Sequence, residues 1–242
     1  MVVARWRRSS GTGPLCAGRL DPDNRANPPG RPGGSRAEWG MQARPTPAEL
    51  LRARLGAVQD SSVMGSLLVV TGPPGAGKSS VSRLIADRFE SSVLVEGDAF
   101  FAFLAAGAIE PWLPESHGQN EVVTDGAAVA TAAFVAGGYD TVYDGVLGPW
   151  FLPEFARRLG LAEFDYVVLL PSEEECVDRV RRRVGHGFTD DAAARLMHRQ
   201  FDTDRPASSH VIEGGHLDAG ATVDEVMRRR ATGELRVRSA DL

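Results

Sequence analysis

The chain reads as an α/β protein, a three-layer α/β/α sandwich on a mainly parallel five-stranded sheet with a small helical lid. Two observations predict it. Short apolar runs of strand length alternate with longer segments of helical periodicity, the pattern of a parallel sheet covered on both faces. The first run, residues 67–70, leads into Gly72-Pro73-Pro74-Gly75-Ala76-Gly77-Lys78-Ser79, and a helical pattern follows. Strand, glycine loop and helix in that order form a phosphate cradle.

The elements follow in order. After the loop, residues 78 to about 89 are expected as a helix, with Val81, Leu84, Ile85 and Phe89 on one face. A second strand at 93–95 ends in Glu96-Gly97-Asp98, and a third at 141–143 ends in Asp144-Gly145. A fourth is expected at 166–170 and a fifth at 210–212, with helices at 121–136, 152–159, 172–184 and 190–201 between them. Ahead of this alternation, residues 1–46 are rich in Arg, Pro and Gly with few large apolar side chains, the composition of a disordered tail. Residues 47–62 place Leu50, Leu51, Leu55 and Val58 at helical spacing and read as a linker helix, which leaves 63–242 as the folded domain. Met41 and Met64 each precede a start for the folded region, so a shorter translated form is also expected.

Charge and cysteine usage exclude several classes. The 242 residues carry a formal charge of -5, but the tail holds eight arginines against Asp21, Asp23 and Glu38, so it is +5 and the remainder is -10. An acidic body argues against a broad nucleic-acid footprint. Cys16 and Cys176 make neither a disulfide framework nor a metal-ligand spacing, which fits a reducing cytoplasm. The longest apolar stretch, residues 126–138, falls short of the ~20 residues a membrane span needs, and no membrane partner is expected.

Lys78 is the only lysine in the chain. It sits where a compact, flexible point charge meets phosphate, in a cofactor-binding loop from Gly72 through Ser80 whose backbone N–H groups, roughly Gly75 to Ser79, add partial positive charge with the dipole of the following helix. Ser79 is placed to ligate Mg²⁺. A single lysine spent in this loop also excludes guanine-specific GTPases, which need Asn-Lys-x-Asp, and the protein-kinase fold, which needs its lysine on another strand. Asp98 and Asp144 each end an apolar strand on the edge where open α/β sheets bind ligands. Phosphoryl transfer needs one carboxylate for the metal and often another for the proton of the attacking hydroxyl. Either aspartate fits either role, and each also fits a plain cap or turn.

The order GPPGAGKSS, VEGDAF, VYDG, VDRVRRRV followed by a short loop resembles the P-loop kinases of the adenylate-kinase, gluconate-kinase and chloramphenicol-phosphotransferase type, over about residues 67–212. The resemblance implies a P-loop NTPase fold and ATP with Mg²⁺ as cofactors. It implies Asp98 as base on the acceptor hydroxyl and Asp144 beside the metal. Arg179 and Arg183 repeat the paired arginines before the lid, implying a clamp on the transferring group, with residues 185–189 as the lid. The insert at 111–120, with Trp112, His117 and Asn120, is where this family binds its acceptor, and Trp150 stands as a second wall. Two departures matter. The lid arginine of adenylate kinases is missing from Gly187-Phe188-Thr189-Asp190-Asp191, and the arginine they carry after Asp-Gly is missing from Asp144-Gly145-Val146-Leu147-Gly148; Arg199 or Arg195 is expected to supply a later arginine.

The resulting expectation is an ATP-dependent kinase acting on a hydroxyl of a small polar molecule such as a sugar or antibiotic. No arginine lies between Arg88 and Arg157, which favours an uncharged acceptor over a nucleoside monophosphate. The alternatives are a nucleoside or nucleotide kinase and a nucleotide-binding regulatory ATPase without an acceptor.

Overall fold

A computed structural model describes residues 64–182, 188, 190–214 and 217–242. The tail at 1–46, the linker helix at 47–62, Arg183 and all of the lid segment except Phe188 lie outside the described residues.

Five strands run parallel: β1 (Leu67–Thr71), β2 (Ser92–Glu96), β3 (Asp140–Asp144), β4 (Glu163–Leu169) and β5 (Val211–Ile212). Their spatial order is β2-β3-β1-β4-β5. β1 lies in the middle and every one of its five residues is buried, which is why it reads as a continuous apolar run rather than an alternation. Successive side chains still point to opposite faces. Leu67 and Val69 enter one core with Tyr143, Tyr166 and Val168, while Leu68 and Val70 enter the other with Val142, Val167 and Leu169.

Helices cover both faces. The first core is closed by α2 (His117–Ala136), α3 (Leu152–Leu159) and α5 (Asp191–Thr203), through Ala128, Phe155 and Phe201 among others. The second is closed by α1 (Lys78–Ala86), α4 (Glu173–Arg182) and α6 (Ala219–Ala231), through Ile85, Cys176 and Val226. α1 stops at Ala86, short of its expected end. Phe89 instead packs against the second core and takes the Arg230 guanidinium over its ring at 5.1 Å.

Two elements were not expected. α6 carries Val223, Val226 and Met227 at helical spacing behind Asp218, whose carboxylate caps it by accepting from Ala221 N at 2.8 Å. A short sixth strand, β6 (Arg236–Arg238), runs antiparallel to the start of β4. Its sequence offers one apolar residue, so the signal is not local. Asp165, buried on β4, accepts from Arg230 Nε at 3.0 Å and Arg236 Nε at 3.3 Å, and it ties α6 and β6 to the sheet. Among the described residues no helix is long and apolar enough to cross a membrane.

Candidate active site

The glycine loop leaves β1 at Thr71 and turns three times through backbone conformations open mainly to glycine: Gly72 at φ 142°, Gly75 at 84° and Gly77 at 96°. At two of these positions a side chain is also excluded by space. A Cβ on Gly72 would run into the carbonyl of Leu169, and one on Gly75 into that of Cys176. The loop is therefore pressed against the end of β4 and the first turns of α4. Gly77 caps α1 without any side-chain hydrogen bond and no acidic residue stands in the first turn, which leaves the helix's positive end to an anion.

Lys78 is folded into this cradle, 7% exposed, with Nζ donating to Pro73 O at 3.2 Å. Next to it lies Asp144, whose register on β3 sets it beside Val70 of β1 and Glu96 of β2. Asp144 is 6% exposed, and its Oδ1 has no hydrogen-bond partner among the described residues. Burial pushes its carboxyl pKa up. The Lys78 ammonium and the Ser79 hydroxyl pull it back, and Asp98 and Glu96 push it up again. A buried carboxylate oxygen without a donor, facing a hydroxyl, is a site for a hard cation.

Asp98 opens the 3₁₀ turn Gly97–Phe103 after β2. Its Oδ1 accepts from Val146 N at 3.1 Å, so the loop after β3 aims the carboxylate. That loop is held from below by a buried network: Leu147 N donates to Thr71 Oγ1 at 2.8 Å, and Leu147 O accepts from Thr71 Oγ1 and Tyr166 Oη, both at 3.0 Å. Tyr143 forms the floor between the two aspartates. A Cβ at Gly97 would run into its hydroxyl, and burial, then the charges of Asp98 and Asp144, drive the phenol pKa upward so that it stays neutral. Sequence reasoning missed Thr71, Tyr143, Leu147 and Tyr166; Tyr143 and Tyr166, polar residues inside otherwise apolar strands, were the available signal.

The acceptor-side residues divide. Trp150 lies against Gly148, meets Phe201 edge-on at 5.2 Å and keeps part of its ring open to solvent. His117 stacks on Phe151 at 5.4 Å, with Nε2 3.2 Å from Glu121. Trp112 meets Phe188 edge-on at 5.1 Å and so links the insert to the lid segment. Asn120 turns inward: its amide nitrogen donates to Pro111 O at 2.7 Å and Ser116 Oγ at 3.0 Å, which leaves only Oδ1 unpartnered. Gln119 likewise bonds both backbone groups of Ile109, so these amides hold the insert together.

Arg179 lies beside the glycine loop. Its Nη1 donates to Gly75 O at 3.5 Å, and it lines a cavity of about 280 Å³ with Gly77, Ser80, Ile212, Leu217 and Thr222. Arg195 and Arg199 both pair with Glu173 at the start of α4, the latter at 3.6 Å.

Residues 67–204, more than half of the chain, match the AAA domain family. Among solved structures, the tunicamycin resistance protein of Deinococcus radiodurans is 13% identical over 69% of this chain and 95% of its own, at a TM-score of 0.52. A gluconokinase from Sinorhizobium meliloti 1021 is 22% identical over 70% and 93%, at 0.48, and a sugar kinase from Janibacter sp. HTCC2649 is 21% identical over 69% and 93%, at 0.45. The fold assignment rests on the first of these. No curated protein sequence matches. Glycine loop, sheet order and family match agree, and the chain belongs to the AAA domain family, with the fold of the P-loop kinases.

Proposed function

We propose that the protein transfers the γ-phosphate of ATP to a hydroxyl of a small polar molecule. The observation that carries the reading is the unpartnered, buried Asp144 oxygen beside Lys78, two residues before the backbone N–H that aims Asp98. A metal-holding carboxylate and a second carboxylate at the acceptor entrance are what alcohol phosphorylation requires.

The loop amides and Lys78 hold the β- and γ-phosphates, and the cavity beside Arg179 takes the base. Asp144 and Ser79 would hold Mg²⁺, which would neutralise charge on the phosphates. Asp98 accepts the proton of the acceptor hydroxyl. The acceptor oxygen bonds to the γ-phosphorus, the bond to the β–γ bridging oxygen breaks, and ADP leaves with that electron pair. Trp112 and Phe188 bring insert and lid segment into contact, which excludes water from the transfer. The test is ATP turnover with and without hydroxyl compounds. Stimulation by one compound class is expected, and acceptor-independent hydrolysis alone would refute the proposal.

The raised pKa of Asp144 has a consequence for pH. The carboxylate gains its proton as pH falls through a value above the ordinary carboxylate range, and the protonated form does not hold a cation. The Mg²⁺ concentration for half-maximal turnover is therefore expected to climb by about tenfold per pH unit on the acidic side of that value. Mg²⁺ titrations at a series of pH values measure it; a requirement independent of pH down to about 4 would contradict the assignment.

A further inference from the structure

We infer that residues 47–62 form a helix that lies along the outer face of α2 and braces the turn carrying Asp98. This docking does not depend on the proposed reaction.

α2 is apolar on two sides. Ala127, Ala128, Ala132 and Val135 enter the first core. The opposite side presents Val122, Gly126, Val129 and Ala133 to solvent at spacings of four, three and four residues, with Val122 69% exposed. A helix that is apolar all round is ordinarily covered all round. At one end the exposed side continues into Phe134, Tyr139 and Met64. Beside Gly126 it continues into the turn after β2. A Cβ on Gly126 would stand 3.9 Å from the Phe100 ring, and Phe103, 77% exposed, meets that ring edge-on at 5.4 Å.

The chain itself supplies the partner. It enters the described fold at the end of this face, where Gly65 N donates to Val135 O at 3.0 Å and a Cβ on Gly65 would strike the Tyr139 backbone. Upstream, Thr46-Pro47-Ala48-Glu49 is a helix-start signal, a capping-box pair with proline at the first helical position. Ala48, Leu51, Leu55 and Val58 follow at spacings of three, four and three residues, the same kind of seam as that on α2. A helix of this length that contains Gly56 is marginal in water by itself and takes its order from a surface.

Direction and register follow from the anchor. Because residue 62 leads into Gly65 at the C-terminal end of α2, the two helices run parallel, and in a parallel pair like seam positions face each other. Matching the two seams from that end sets Val58 level with Val129, Leu55 with Gly126 and Leu51 with Val122. Residues 59–64 then span the about 9 Å of α2 between Val129 and Val135. Leu55 fills the notch that Gly126 leaves beside Phe100, so the segment bears on the turn Gly97–Phe103 that carries Asp98. A tether this short holds the segment at an effective concentration of roughly millimolar, which favours it over the same segment of a second copy.

The test uses the full chain with Cys16→Ser, which leaves Cys176 as the native cysteine. Two pairs, Val58→Cys with Val129→Cys and Leu55→Cys with Gly126→Cys, are oxidised with diamide at low protein concentration and read by intact mass and non-reducing electrophoresis. The expected result is a disulfide within one chain, formed at least ~10-fold faster than in the control pair Val58→Cys with Leu84→Cys. Leu84 is exposed on α1, across the sheet from α2. Hydrogen exchange is the second readout: Leu51→Asp with Leu55→Asp should speed exchange at Val122 to Ala133 and at Gly97 to Phe103 by ~5-fold or more, with β1 unchanged. Disulfides formed between chains at these positions assign the face to a second copy and overturn the inference. Cross-linking no faster than in the control, or exchange in α2 that the two aspartates leave unchanged, overturns it as well.

Discussion

Lys78→Ala should reduce phosphoryl transfer by ~10³-fold or more and remove most of the nucleotide affinity. The ammonium lies inside the loop that wraps it, held to Pro73 O, and it is the single lysine of the chain. No neighbouring side chain of the same kind can substitute. The substitution also removes the cation that favours ionisation of Asp144, so its carboxyl pKa should rise further and the metal site should weaken with the phosphate site. Calorimetric titration with ATP and Mg²⁺ separates the two effects from turnover. A thermal scan provides a second readout, because a ligand that binds the folded state stabilises it in proportion to the logarithm of one plus its concentration over Kd, and the variant should lose that rise in melting temperature. Native-like affinity and turnover would remove the basis for placing phosphate in this loop.

Asp98→Asn should lower kcat by ~10²-fold or more with nucleotide affinity close to that of the parent protein. The carboxylate stands outside the cradle and is oriented by Val146 N–H, a hydrogen bond that the carbonyl oxygen of an asparagine also accepts. Geometry is therefore preserved and the proton-accepting charge is lost, which isolates one role from the other. The expected kinetic signature is a fall in kcat that nucleotide binding does not share. Turnover within about twofold of the parent would move the base role to Asp144.

Much of this site was legible from local pattern. The glycine loop was legible residue by residue, because three positive-φ turns and an uncapped helix start need glycine at fixed offsets. The strand ends at Asp98 and Asp144 were legible for a related reason: each apolar run breaks off at an aspartate next to a glycine, Gly97-Asp98 and Asp144-Gly145, where a buried strand gives way to a turn. The acceptor side was less legible. Asn120 reads as a polar contact for a substrate, yet its amide holds Pro111 and Ser116, because a loop that leaves the sheet must satisfy its own carbonyls before it can present anything. Arg179 and Arg183 read alike at four-residue spacing. Only the packing of α4 against Gly75 shows that Arg179 faces the cavity beside the glycine loop, and Arg183 lies outside the described residues.

The amino-acid sequence alone determined the glycine loop, the alternation of strand and helix, and the placement of two carboxylates at the ends of β2 and β3. These depend on periodicity and on backbone conformation, which neighbours in sequence decide. Tertiary structure alone decided that β1 lies between β3 and β4 and that β6 turns back antiparallel on β4. It also decided that the loop after β3 is braced by Thr71 and Tyr166, 76 and 19 residues from Leu147, so that Val146 can aim Asp98. Such contacts join residues far apart in the chain, and their energy appears only when the sheet has closed; no window of local sequence contains both partners.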